Sequence, residues 1–170
     1  VGVIESICQE NDVPFFSCRG YVSDSEMWRA AMRMRAYYGD RRQRIIVLHL
    51  GDHDPSGIDM TRDIEDRLRL FSRLAPIEVR RIALTMEQIE EQSPPPNPAK
   101  MTDSRYAGYV SEYGDESWEL DALEPQFMSY LIRDQILDER DEAKWEDAVA
   151  KQEEERAQIQ DIIDKWDELF

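Results

Sequence analysis

The sequence predicts an α/β fold in which a small parallel sheet is flanked by helices, followed by a long charged amphipathic helix. Three observations carry this. Helical and extended apolar patterns alternate through residues 1–84. The run Ile45 to Leu50 is apolar apart from His49. From Asp138 onward, apolar residues recur at helical spacing in a very charged segment.

Taken in order, Val3, Ile4, Ile7 and Cys8 share one face of a short helix, and Val13-Pro14-Phe15-Phe16-Ser17 reads as a strand. Ser23-Asp24-Ser25-Glu26 has capping-box spacing, in which two side chains satisfy backbone N–H groups at a helix start. The helix it opens carries Met27, Ala30, Ala31, Met34 and Tyr38 on its buried stripe. Ile45 to Leu50 suits a strand covered on both faces, as in a parallel sheet. A helix with Met60, Ile64, Leu68 and Phe71 follows, then a strand from Glu78 to Leu84.

Thr85-Met86-Glu87-Gln88 again has capping-box spacing and starts a short helix. Residues 93–100, SPPPNPAK, read as a loop because proline has no N–H to donate. A short helix is expected around Ser104 to Tyr113, and Pro125 fits the first position of another, with Phe127, Tyr130, Leu131 and Ile136 on one side. Beyond Asp138, the spacing of Trp145, Val149, Gln152, Ile159, Ile162, Ile163 and Trp166 predicts a long amphipathic helix. Such a helix packs in a core, on a second copy as a homodimer, or on a partner protein. The expected division is an α/β domain over 1–137 and this helix over 138–170.

A chain of 170 residues is long enough to bury a real core. No apolar run approaches the roughly 18–20 residues of a membrane span, so no membrane association is expected. The N-terminus lacks a basic region leading into an apolar stretch, and there are only two cysteines, Cys8 and Cys18. A reduced, cytoplasmic protein is the expectation. The first residue is Val1 rather than Met, and the natural beginning is expected to lie upstream. The net charge of −16 is uneven: residues 1–84 hold 13 acids and 13 bases, all of the bases Arg, while 85–170 hold 24 acids and 8 bases. Uniform acidity would repel nucleic acid at long range; with an Arg-bearing half joined to an acidic one, the charge balance by itself leaves nucleic-acid contact possible in the first half.

The segment His49-Leu50-Gly51-Asp52-His53-Asp54-Pro55-Ser56-Gly57 sits where the first parallel strand gives way to a helix. Ligands of open parallel sheets bind beyond the carboxyl ends of the strands. Asp52 and Asp54 are two apart, so in extended backbone both carboxylates lean to one side. Grouped hard oxygens suit Mg²⁺ or Mn²⁺, which would relieve their repulsion, and the following helix start favours a phosphate. The same residues also fit a turn with Asp54 as the helix N-cap. With only two histidines, a metallophosphoesterase site or a His/Cys zinc site is poorly supplied. A haloacid-dehalogenase nucleophile motif would read Asp-x-Asp-x-Thr on a first strand. Here Ser56 stands in the Thr position and a strand and two helices precede it.

Together these residues resemble the Toprim domain, most closely that of the type IIB topoisomerase A subunit and its meiotic double-strand-break relatives. The family's Asp-x-Asp-Pro-x-Gly motif followed by Ile-Asp is matched by Asp52-His53-Asp54-Pro55-Ser56-Gly57-Ile58-Asp59. Its Gly-Tyr turn is similar to Arg19-Gly20-Tyr21, and its Glu-x-Glu-Ala-Leu element to Glu119-Leu120-Asp121-Ala122-Leu123. The resemblance spans roughly residues 1–137. It implies a Rossmann-like Toprim fold, a Mg²⁺ or Mn²⁺ cofactor, and cleavage or strand transfer at nucleic-acid phosphodiesters, DNA above RNA. It implies Asp52, Asp54 and Asp59 as metal-site acids, with Glu119 completing the catalytic cluster of Asp52 and Asp54. Arg19, Lys100 and Arg105 are the expected nucleic-acid contacts.

Two departures qualify the resemblance. Toprim domains carry a catalytic Glu at the end of a first strand, and this chain opens in the helix that follows. Glu5 and Glu10 do not match that position. The topoisomerase relatives take a nucleophilic Tyr from a separate winged-helix domain, and none of the seven tyrosines here is expected in that role. The expected function is therefore a Toprim-type nuclease or topoisomerase-like domain, incomplete as it stands. The alternative is a non-catalytic Toprim-like module that binds DNA or protein.

Overall fold

The computed structural model describes residues 2–18, 20–41, 44–73 and 76–167. The chain divides into two compact units, Val1–Ile132 and Arg133–Phe170.

The first unit is α/β. Helices α1 (Gly2–Glu10) and α2 (Asp24–Arg41) precede strand β1 (Ile45–Leu50), helix α3 (Pro55–Ser72) and strand β2 (Ile77–Ala83). The two strands pair in parallel, from Ile45 opposite Ile77 to Leu50 opposite Ala83, with an irregularity between His49 and Leu50. The ladder continues past the strand ends: Gly51 N–H donates to the Ala83 carbonyl (2.9 Å) and Leu84 N–H to the Gly51 carbonyl (2.8 Å). This extension holds the turn after β1 against the end of β2.

The main core joins Met27, Ala30 and Ala31 of α2, Ile64 and Leu68 of α3, and Ile77 of β2. The sequence stripe of α2 is thus the buried one, with Met34 and Tyr38 packed at its margin. Ser23 Oγ accepts from Glu26 N–H (3.3 Å), supplying half of the expected box at the start of α2.

Two expectations need correction. Residues 13–17 form no strand. Pro14 cannot donate to a ladder, and among the described residues no strand lies alongside to pair with it. Phe16 and Cys18 still reach the core, so the alternation records burial without a sheet. β1 is also less covered than its apolar run suggests. Only His49 is fully buried and the other five residues are half-buried, because a two-stranded sheet has little neighbouring surface.

After β2, α4 (Met86–Gln92) begins at a complete capping box between Thr85 and Gln88. The Pro-rich segment is not wholly loop: β3 (Asn97–Pro98) pairs antiparallel with β4 (Glu116–Ser117), with α5 (Tyr106–Tyr113) between them. Pro98 is tolerated because the pairing is only two residues long. Leu84, Ile89, Trp118 and Leu123 make a second core, with Phe127 and Met128 of α6 (Pro125–Glu139) at its edge.

In the second unit, α7 (Glu142–Asp167) is a continuous 26-residue helix, as its periodicity predicts. The unit boundary falls within α6. Among the described residues, no helix is long and apolar enough to cross a membrane.

Candidate functional site: an acidic turn backed by a buried arginine

β1 ends at Leu50, and the chain turns through Gly51-Asp52-His53 into α3. Asp54 is the N-cap. Its backbone is extended, and Oδ1 accepts from Gly57 N–H (2.6 Å) and Ser56 Oγ–H (3.0 Å), while Pro55 occupies the first helical turn. The capping reading of Asp54 is therefore what the turn contains. Gly57 is required for a steric reason. A Cβ there would lie 2.2 Å from the Asp52 carbonyl oxygen and 3.1 Å from Asp54 Oδ1. The Asp-x-Asp-Pro-x-Gly spacing thus encodes a backbone that folds tightly over a helix start.

Asp52 lies one residue before the buried His53, and its Oδ1 accepts from Leu120 N–H (2.8 Å). That bond crosses 68 residues and brings the segment after β4 to the turn. The approach is secured next door, where His53 and Trp118 exchange backbone hydrogen bonds of 2.8 and 3.0 Å. His53 is 2% exposed and surrounded by rings: Tyr109, Tyr113 and Trp118 all meet it edge-on. Its Nδ1 is 2.8 Å from the Tyr109 hydroxyl, which lies within donating distance of the His53 and Glu116 carbonyls. Burial, with Arg81 nearby, lowers the His53 pKa, so the ring is neutral.

Beneath the turn lies Arg81 of β2. Its Nη2 donates to the carbonyls of Gly51 (2.8 Å) and Asp52 (2.6 Å), and its Nη1 to the carbonyl of Gly57 (2.9 Å). Longer contacts of 3.3 Å run from Nε and Nη2 to the Leu84 carbonyl. This guanidinium is satisfied mainly by backbone oxygens, with the charges of Asp52 and Asp54 close enough to act on it. Burial lowers its pKa, although an arginine keeps its proton at any ordinary pH. Arg81 also crowds His49, whose Nδ1 meets Thr61 Oγ1 at 2.9 Å and whose Nε2 is buried without a hydrogen-bond partner. Burial first, then the Arg81 charge, pulls the His49 pKa down to about 4.

Asp59 belongs to a different cluster. It accepts from Arg62 Nε (2.8 Å) and the Tyr21 hydroxyl (2.9 Å), and it forms an ion pair with Arg105 at 3.4 Å. The Arg62 hydrogen bond is the main cause that holds the Asp59 carboxyl below its usual range. Arg105 lies 5.4 Å from the Tyr21 ring centroid and also pairs with Asp103 at 3.2 Å. The structure thus brings together Asp59, expected at a metal, and Arg105, expected on nucleic acid, as an ion pair on the surface beside the Gly20-Tyr21 turn.

Glu119 is exposed, one residue before the N–H that binds Asp52. Lys100 is exposed on the loop after β3. Arg19 lies outside the described residues. Among the described residues, no group of three or more His, Cys, Asp and Glu side chains converges to hold a metal ion. The carboxylates of Asp52 and Asp54 each have one oxygen committed to the turn, through Leu120 N–H and through the cap, leaving Oδ2 of each for a ligand. Two hard oxygen donors of this kind fit a largely hydrated Mg²⁺ or Mn²⁺ and not a soft metal.

Sequence reasoning missed Arg81 and the ring cage around His53. A charged residue directly before the apolar pair Ile82-Ala83, at the end of a predicted strand, was the available signal for the first. The tyrosine pair at 109 and 113, four apart on one helical face, was the signal for the second.

The class that fold and site define is an α/β domain with a small parallel sheet, whose carboxyl end carries an acidic, glycine-dependent turn supported by an internal cation. Comparison with known protein families, curated proteins and solved structures gives no match to this chain.

Proposed function

We propose that this chain is a Toprim-type domain that holds Mg²⁺ or Mn²⁺ at Asp52 and Asp54 and acts on nucleic-acid phosphodiesters, by cleavage or strand transfer. The observation that carries the reading is the Leu120 N–H bond to Asp52 Oδ1. It brings the segment holding Glu119 to the first acid of the turn, although among the described residues the Glu119 side chain does not converge with Asp52 and Asp54. When bound, the ion would stabilise charge developing on the scissile phosphate and its leaving oxygen.

The chain's own groups do the rest. Arg81 offsets the mutual repulsion of Asp52 and Asp54 while the turn is formed, because its charge sits below both. Gly57 and the Asp54 cap fix the backbone so that both side chains stay at the sheet end. Asp59 is engaged by Arg62, Tyr21 and Arg105, so in this reading it shapes the neighbouring surface and does not bind the ion. Lys100, exposed on the loop after β3, and Arg105, which would exchange its pairs with Asp59 and Asp103 for a phosphate, are the phosphate contacts of this reading. A second reading, a Toprim-like module that binds DNA without cutting it, is favoured by the absence of a third converging ligand among the described residues.

The test is fluorescence anisotropy of a labelled DNA duplex with and without Mg²⁺, alongside plasmid nicking. The expected result is weak, salt-sensitive binding that Mg²⁺ strengthens, an increment lost in Asp52→Asn and kept in Asp59→Asn. Mg²⁺-dependent nicking lost in Asp52→Asn selects the catalytic reading, and binding without nicking selects the module. Binding that ignores Mg²⁺ overturns the proposal.

A further inference from the structure

Helix α7 carries a seam. Trp145, Val149, Gln152, Arg156, Ile159, Ile163 and Trp166 follow one another at alternating steps of four and three residues. This is the spacing that keeps one stripe turned towards a partner helix over several turns, with Val149, Arg156 and Ile163 at a and the others at d. Much of the stripe is open to solvent: Ile159 is 58% exposed, Ile163 47% and Trp166 64%, with Ile162 beside them at 64%. Isolated exposed apolar residues need no explanation, but several on one face at heptad spacing mark an interaction surface.

Charge decides what can cover it. The positions beside the seam hold Glu146 and Glu153 on one side and Glu155 on the other. Glu155 has only a long contact to Lys151 (3.8 Å), and among the described residues Glu146 and Glu153 form no ion pair. The lysines of α7 lie away from the seam, where Lys144 pairs with Asp141 (2.7 Å) and Lys165 with Asp161 (2.5 Å). A second copy is a poor occupant. Paired in parallel, it would set Arg156 against Arg156 in the middle of the seam. Paired antiparallel, it would line Glu146 and Glu153 of one copy along the same acidic edge of the other. Facing like charges in this way disfavours association.

We propose that α7 docks an amphipathic helix of a partner protein whose apolar stripe is flanked by lysine or arginine and which sets an acidic residue opposite Arg156. The apolar residues supply the affinity of such an interface, the flanking charges select the partner, and a polar residue inside the seam fixes register. Gln152 and Arg156, adjacent polar steps in an otherwise apolar seam, are placed for that last role.

The experiment uses the full chain and a fluorescently labelled four-heptad synthetic peptide with Leu at a and d, Lys at e and g, and one Glu opposite Arg156. Two controls accompany it: the same peptide with Glu at e and g, and a scramble of the Lys peptide that keeps its charge but loses its stripe. The Lys peptide is expected to bind at least about tenfold more tightly than either control, equivalent to about 1.4 kcal/mol. Ile159→Lys combined with Ile163→Lys is expected to remove that advantage while leaving the far-ultraviolet circular dichroism unchanged, since both side chains are exposed. Sedimentation should show the chain alone as a monomer. Equal binding of the Lys peptide and its scramble overturns the proposal. So does a stable dimer of the chain that the double substitution dissociates, because the seam would then belong to a second copy.

Discussion

Replacing Arg81 by methionine tests whether the acidic turn depends on the cation beneath it. Methionine keeps much of the aliphatic stem but removes every donor. Three short hydrogen bonds disappear, to the carbonyls of Gly51 (2.8 Å), Asp52 (2.6 Å) and Gly57 (2.9 Å). Hydrogen bonds to a charged group contribute about 1.5–3 kcal/mol each, and a buried acceptor left unpaired costs about 1–3 kcal/mol. The Asp52 carbonyl is on the exposed side of the guanidinium and water replaces that bond easily. The two remaining bonds then give a loss of about 3–6 kcal/mol, a large part of the roughly 5–15 kcal/mol that stabilises an ordinary domain. Urea denaturation followed by tryptophan fluorescence should show a markedly lower midpoint at an unchanged slope. Arg81→Lys should recover part of the loss, because an ammonium donates to some of the same oxygens but cannot fork between them. A loss below about 1 kcal/mol in Arg81→Met would show that the turn does not depend on this cation.

Gly57→Ala should be among the most damaging small substitutions in the chain, because its Cβ would sit 2.2 Å from the Asp52 carbonyl and the backbone must move. A destabilisation of about 1–3 kcal/mol is expected by urea denaturation, whereas the same change at Gly108, which is helical and open, should stabilise by about 0.5–1 kcal/mol. Stability should also fall in acid before most carboxylates titrate. His49 is held neutral down to about pH 4, while in the unfolded chain it takes up a proton near its ordinary 6.5. The unfolded state therefore binds the extra proton first, so the stabilisation is complete above pH 6.5 and is lost as pH falls towards 4. The loss is on the order of 3 kcal/mol for His49, and His53 adds to it in the same direction. Urea midpoints at several pH values check this, and a midpoint constant between pH 6.5 and 5 would contradict it.

Much of the architecture was legible because it rests on local rules. The Thr85–Gln88 capping box, the Pro125 helix start, the stripe of α2 and the helically spaced apolar residues of α7 all appear where their spacing put them. What failed was non-local. The extended run at residues 13–17 has strand-like composition, but a strand exists only where another runs alongside, and no local pattern reports that. The site divides in the same way. The turn chemistry of Asp54, Pro55 and Gly57 is written in consecutive residues, and the structure adds why the glycine is needed. The contact between Asp52 and Leu120, the pairing of Asp59 with Arg105, and the carbonyl cage around Arg81 join residues far apart in sequence. Those partners set which acids have an oxygen left for a ligand, and composition alone could not sort Asp52 and Asp54 from Asp59.

In the proposed function, Asp52 and Asp54, and not Asp59, hold a divalent cation. Electron paramagnetic resonance of free Mn²⁺, titrated with the intact chain, tests this without requiring activity. One weak site is expected, with a dissociation constant of roughly 0.1–1 mM because water completes most of the shell. Asp52→Asn and Asp54→Asn should each weaken it at least about tenfold. Asparagine still accepts the Leu120 hydrogen bond at position 52 and still caps α3 at position 54, so these substitutions remove charge while sparing the turn. Asp59→Asn should leave the titration unchanged. Binding that survives both Asp52→Asn and Asp54→Asn, or that is lost in Asp59→Asn alone, would show that these two acids do not hold the ion.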